Sequence, residues 1–145
     1  MVWIAFAYTP FGTAVLHGEA PPLEKSLSDD TPIAASKYLV DNPPQGLVFN
    51  SYEWGDYLLW AGPKDIQVFV ASHAHWVPTE VWNDYLYISS GSADWDTMLD
   101  RYGVNTVAVD LPRRALLAEA VKAHDGWELR YQDNRSAVFV RKDPI

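Results

Sequence analysis

GLVFNSYEWGDYLLWAG, residues 46–62, reads as a buried strand, a sharp turn and a short helix. Leu47, Val48 and Phe49 form a continuous apolar run bounded by Gly46 and Asn50, the pattern of a strand covered on both faces. Asn50 suits an N-cap, because its side-chain oxygen can accept from an orphan N–H of the first helical turn. Glu53, three residues on, can close a capping box. Trp54, Tyr57, Leu58 and Ala61 then recur at i, i+3, i+4 and i+7, one face of a helix, and Gly62-Pro63 stops it. A strand that feeds a helix at the C-terminal edge of a sheet is where α/β folds often place ligands.

Outward from this unit, strands alternate with helices. Thr31-Pro32 opens a helix to about Val40, with Ile33, Ala34, Leu39 and Val40 toward the core. Ile66 to Ala71 is a second strand. Thr79 can cap a helix through Val81, Trp82, Tyr85 and Ile88, and a third helix carries Trp95, Met98, Leu99 and Tyr102 to Gly103. Thr106 to Val109 is a third buried strand ending at Asp110. Pro112 begins a helix with Leu116, Leu117, Ala120 and Val121 inward. WELRYQ (127–132) and SAVFVRK (136–142) alternate apolar and polar around the short turn Asp133-Asn134-Arg135, an antiparallel hairpin. The pattern predicts a small three-layer α/β domain over residues 31–145, its mixed, mainly parallel sheet ending in the C-terminal hairpin.

Residues 1–18 are different. The first sixteen carry no charge, too few to span a membrane unaided, and hold Pro10 and Gly12 in their second half. They read as the end of a transmembrane helix, with a buried N-terminal element and an interfacial anchor as alternatives. Trp3, Phe6, Tyr8 and Phe11 suit the headgroup level, and the scarcity of Lys and Arg after them favours the extracytoplasmic side. Residues 19–30 read as a linker.

Composition narrows the function. A net charge of −8 argues against non-specific nucleic-acid binding, which needs Lys and Arg to neutralise phosphates. The absence of cysteine excludes a disulfide framework, a thiolate zinc site and a cysteine nucleophile. No Gly-rich phosphate loop, GxSxG elbow or HExxH run occurs, and no cofactor is expected. His73 and His75 alternate at a strand end, and Asp110 ends another strand. Together they are the weak metal candidates, through which the chain would be a small metal-dependent hydrolase. Capping and a polar rim explain the same three residues as structure. Tyr52, Glu53, Trp54, Asp56 and Trp60 are the candidate ligand residues, from the turn and helix of the opening stretch. They would serve a free-standing module that binds sugar or peptide.

The run Gly46-Leu47-Val48-Phe49-Asn50, then Tyr52-Glu53-Trp54-Gly55, Asp56-Tyr57-Leu58 and Trp60, resembles the G-x-VFN-x-YEWGGYLIW segment of a known group. That group is the C-terminal soluble domain of bacterial, planctomycete-type polytopic membrane proteins related to GT-C glycosyltransferases. The likeness continues through Val81-Trp82, Trp95, Leu99, Tyr102-Gly103-Val104-Asn105, Trp127, Tyr131 and Ala137-Val138-Phe139-Val140-Arg141, covering roughly residues 32–142. Relatives often carry a D-G-R-like run after the second strand, where this chain has Ala71-Ser72-His73. The resemblance implies a transmembrane bundle of the same protein as partner, with the glycosyltransferase carboxylates in loops of that bundle. This chain would then be a non-catalytic extracytoplasmic domain shaping the outer face of the membrane unit. A fainter similarity links Tyr52-Glu53-Trp54-Gly55 to the W-D-Y-G element of oligosaccharyltransferase catalytic subunits, which implies a glycan or peptide acceptor contact near these residues.

Overall fold

The structure is a computed structural model that describes residues 27–145. Pro32–Ile145 form one compact unit. The apolar stretch over residues 1–18 and the linker as far as residue 26 lie outside the described residues.

Among the described residues the sheet has five strands, β1 (Leu47–Asn50), β2 (Gln67–Val68), β3 (Val104–Asp110), β4 (Trp127–Gln132) and β5 (Ser136–Arg141), in the spatial order β2-β1-β3-β5-β4. β1 runs parallel to β2 and to β3, pairing Val48 with Val68 and Phe49 with Val107. β5 runs antiparallel to both β3 and β4, with Val107 opposite Phe139 and Leu129 opposite Phe139 from the other side. The architecture is therefore α/β with a mixed sheet, parallel on one side and closed by the C-terminal hairpin on the other.

Alternation along the strands sorts the core into two layers. Phe49, Val107, Val109, Ala137 and Phe139 face one side, with Tyr85, Ile88, Trp95, Leu99, Leu117 and Val121 packed on them. Those partners come from α3 (Thr79–Ser89), α4 (Trp95–Arg101) and α5 (Ala115–Ala123). Val48, Ala108 and Val138 face the other side, under α1 (Ile33–Asp41) and α2 (Gly55–Ala61), which supply Ala35, Leu39 and Leu58, with Trp54 beside them. All seven residues of β3 are buried, as expected of a central strand covered on both faces.

Several local expectations are corrected. Asn50 caps no helix: it is the last residue of β1, fully buried, and its amide serves the neighbouring chain segment. That service shortens the second strand. Phe69 N–H bonds Val48 O, but Asn50 Oδ1 also accepts from Phe69 and Val70 N–H, at 3.0 and 3.3 Å, and Nδ2 donates to Val70 O at 2.8 Å. A side-chain amide thus replaces the ladder beyond Val68, and the strand closes early. Thr79 is the first residue of α3 rather than its cap, and no side chain bonds the start of that helix. α5 begins at Ala115, not Pro112, so its inward stripe is Leu117, Ala118 and Val121, and Leu116 is exposed. In α1 the inward residues are Ala35, Ser36 and Leu39, whereas Ala34 and Val40 point out.

Candidate site at the switch point of the sheet

β1 and β3 are parallel neighbours whose following helices leave to opposite sides of the sheet. α2 packs with Val48 and α5 with Phe49. Such a divergence opens a crevice outside the carboxyl ends of the two strands, the usual ligand position in open α/β sheets.

The mouth of the crevice is tied together first by Ser51. Its N–H donates to Ala108 O at 3.1 Å, and its Oγ accepts from Asp110 N–H at 2.8 Å. Beyond it the chain makes a 3₁₀ turn, Tyr52–Trp54, before α2 begins. Tyr52 is half-buried and meets Trp82 edge-on at 5.4 Å, Trp82 stacks on Tyr85 at 5.3 Å, and Tyr85 stacks on Phe49 at 5.3 Å. An aromatic series therefore runs from the core to the crevice wall, and offset ring packing of this kind makes that wall stiff. The Tyr85 hydroxyl accepts from Tyr52 N–H at 2.7 Å and from Arg114 Nη2 at 3.2 Å.

Charge is concentrated here. Asp110, fully buried, accepts from Arg113 Nη1 at 2.6 Å and from Arg135 Nη2 at 3.3 Å, and its Oδ1 takes Arg113 N–H at 3.3 Å. Glu53 reaches across from the other strand end. Its carboxylate lies 3.8 Å from Arg113 Nε and 3.5 Å from Arg114 Nη2. Three of the chain's six arginines thus meet two carboxylates in one crevice of an otherwise acidic protein. Arg135 is delivered by the hairpin turn, where Asp133 Oδ1 accepts from the N–H groups of Arg135 and Ser136 at 2.8 and 2.6 Å. Burial pushes the Asp133 carboxyl up, but the Tyr131 hydroxyl and these backbone donors outweigh it and hold the group below the ordinary carboxylate range.

The remaining sequence candidates lie in other surroundings. Trp54 is buried in the second core layer, so it supports the turn and is closed to a ligand. Asp56 accepts from Ser72 N–H at 3.3 Å and pins the segment after β2. Trp60 is 65% exposed, with Tyr57 5.8 Å away. His73 and His75 are exposed around a short 3₁₀ turn, Ala74–Trp76, with ring centres 6.1 Å apart. Asp110 is committed to arginines, and among the described residues no group of three or more His, Asp or Glu is placed to hold a metal ion. Glu53, Tyr52 and Asp110 do come together. Their partners Arg113, Arg114, Arg135 and Tyr85 were not anticipated, although the pair Arg113-Arg114 directly after a strand end was a visible signal.

The chemistry of this arrangement is charge recognition. Guanidiniums stay protonated at any physiological pH and offer forked donors to oxyanions. Among the described residues no helix is long and apolar enough to cross a membrane. No protein-family model, no curated protein and no solved structure matches the chain.

Proposed function

We propose that this chain is a non-catalytic, extracytoplasmic C-terminal domain of a multi-span membrane protein related to glycosyltransferases, and that it covers the outer face of the membrane unit. The observation that carries the reading is α2, the helix at the centre of the sequence resemblance. Its inner side sets Leu58 in the core, while Leu59 and Trp60 stand 53% and 65% exposed. Neighbouring large apolar side chains turned outward are typical of surfaces that meet another protein part, and Trp is the residue type most enriched at such contacts. The glycosyltransferase acid–base chemistry would then belong to the transmembrane unit, and this domain would shape access to it.

The test is fractionation of the full-length gene product with protease added from outside the membrane. The expected result is a membrane-bound protein from which this domain is shaved. A product found wholly in the soluble fraction overturns the reading. A second reading, a free-standing sugar- or peptide-binding module, is favoured by the same Trp60, whose exposed ring could stack on a sugar. Glycan binding by the isolated chain that is lost in Trp60→Ala would support it.

A further inference from the structure

We propose that Asp125 is a site of spontaneous isoaspartate formation, with His124 as the base that starts the reaction. Asp125-Gly126 is the one Asp-Gly pair in the sequence, Asn-Gly does not occur, and Asp125 stands exposed on the turn between α5 and β4. Trp127 N–H closes that turn on His124 O at 3.1 Å. Within it, His124 Nδ1 accepts from Gly126 N–H at 3.1 Å. An acceptor at Nδ1 puts the proton of the neutral ring on Nε2, which lies 3.6 Å from Asp96 Oδ2. Asp96 is itself fixed through Oδ1, by Trp127 Nε1 at 2.7 Å and Arg141 Nη2 at 3.1 Å. The imidazole is thus held in the tautomer whose lone pair faces an amide proton. Gly126 permits the approach, because a Cβ there would stand 3.1 Å from both Cε1 and Nδ1 of the ring.

That amide is the nucleophile of the rearrangement. His124 Nδ1 takes its proton as Gly126 N attacks Cγ of the protonated Asp125 carboxyl, and an N–Cγ bond forms. The imidazolium returns the proton to the departing hydroxyl, which leaves as water, and a cyclic imide remains. Water then opens the imide. Attack at Cγ restores Asp125. Attack at the backbone carbonyl carbon breaks its bond to Gly126 N, so the chain runs on through Cγ and the former backbone carbonyl becomes a free carboxylate. One water leaves and one enters, so mass and oxidation state are unchanged and no other reactant is needed. Asp125 is open to solvent, which supplies the water and leaves its carboxyl room to turn. The product carries an extra methylene in the backbone at the entry to β4. This site is independent of the membrane reading above.

The test holds the full 145-residue chain at physiological temperature and neutral pH for several weeks, folded or in urea. The tryptic peptide 123–130 is then read by electron-transfer fragmentation, which tells the two backbones apart. Isoaspartate is expected to accumulate at position 125 in the folded chain. His124→Gln keeps an acceptor for Gly126 N–H but has no basic nitrogen, and the exposed position of the ring, 43% accessible, lets the variant fold. It is expected to slow accumulation by about tenfold or more in the folded chain and by less than about twofold in urea, where nothing holds the ring on the amide. A folded chain free of isoaspartate at position 125, a folded rate indifferent to His124→Gln, or an equal slowing in urea would each overturn the proposal.

Discussion

The side-chain amide of Asn50 grips the backbone of Val70 from both sides, donating to its carbonyl at 2.8 Å and accepting from its N–H at 3.3 Å. The same amide adds a second bond to Phe69 N–H, which also donates to Val48 O, and to Ser51 O, which also accepts from Trp54 N–H, so one buried residue touches four backbone groups at the strand end that opens the crevice. Removing it takes this partner from the N–H and carbonyl of Val70, at a cost of about 1–3 kcal/mol for each group left stranded. Asn50→Ala is expected to lower stability by about 3 kcal/mol in urea denaturation. Asn50→Asp should be no better at neutral pH, because its carboxylate would face the carbonyls of Val70 and Ser51. A loss below about 1 kcal/mol in Asn50→Ala would show that water replaces the amide without strain.

Gly55 follows from the same close approach. A Cβ on Gly55 would lie 2.6 Å from Ala71 Cα and closer still to the carbonyl oxygen of Val70, both backbone atoms with nowhere to move. Its own backbone is ordinary αR, so in open space alanine would stabilise this helix start by up to about 1 kcal/mol. The contact reverses that sign, and Gly55→Ala is expected to lose about 3 kcal/mol or more. Gly103→Ala is the control. Its Cβ would meet nothing within 4 Å, but its φ of +65° is left-handed, so the expected loss is only about 1–2 kcal/mol. Equal losses in the two variants, read from thermal melts, would contradict this division between packing and conformation.

Much of the scaffold was legible in the residues, and the limits are physical. Phe49 and Val48, Val107 and Ala108, or Phe139 and Val138 divide between the two faces because period 2 is a local property of a strand. The partner of Asn50 was not legible, because an amide fits a helix cap and a neighbouring strand equally well in sequence. The arginine crevice was hidden for a stronger reason. Glu53, Asp110 and Arg135 meet only through two non-local pairings, Asn50 with Ala108 and Asp110 with Ser136. No window of sequence contains either. A helix started at Pro112 would carry Leu116 inward, whereas the chain spends Pro112–Arg114 on the turn that presents the arginines.

Two tryptophans of the resemblance segment should part company on mutation. Trp54 is enclosed with Val48, Leu58, Ala108 and Val138, and Trp54→Ala opens a cavity worth about 3–5 kcal/mol. Trp60 is turned to solvent, and Trp60→Ala should change stability by less than about 0.5 kcal/mol. If the chain docks on a membrane unit as proposed, the order is expected to invert for assembly: in the full-length gene product Trp60→Glu should increase protease access to this domain while the domain itself stays folded. Unchanged access in Trp60→Glu would remove α2 as the docking surface.

The hairpin that carries Arg135 should make stability depend on pH at both ends of the scale. At the acid end the group is Asp133, whose pKa is lowered from its ordinary 3.8 because its bonds from Tyr131, Arg135 N–H and Ser136 N–H outweigh burial. A lowered folded pKa means stability that is present above about pH 4 and is lost as pH falls through the depressed value. At the alkaline end the group is Tyr131, raised from 10.0 to about 12 by burial and by its 2.7 Å bond to Asp133. A raised folded pKa means stability that is complete below pH 10 and is lost as pH climbs toward 12. Tyr102, raised by burial and by Asp84, adds to the same alkaline loss. Tyr131→Phe is therefore expected to reduce the fall in melting temperature between pH 10 and 12 without abolishing it. Asp133→Ala should cost about 1–2 kcal/mol at neutral pH, because the Arg135 and Ser136 N–H groups lose their acceptor, and should flatten the acid limb. An acid limb of unchanged slope in Asp133→Ala would place that proton uptake elsewhere in the fold.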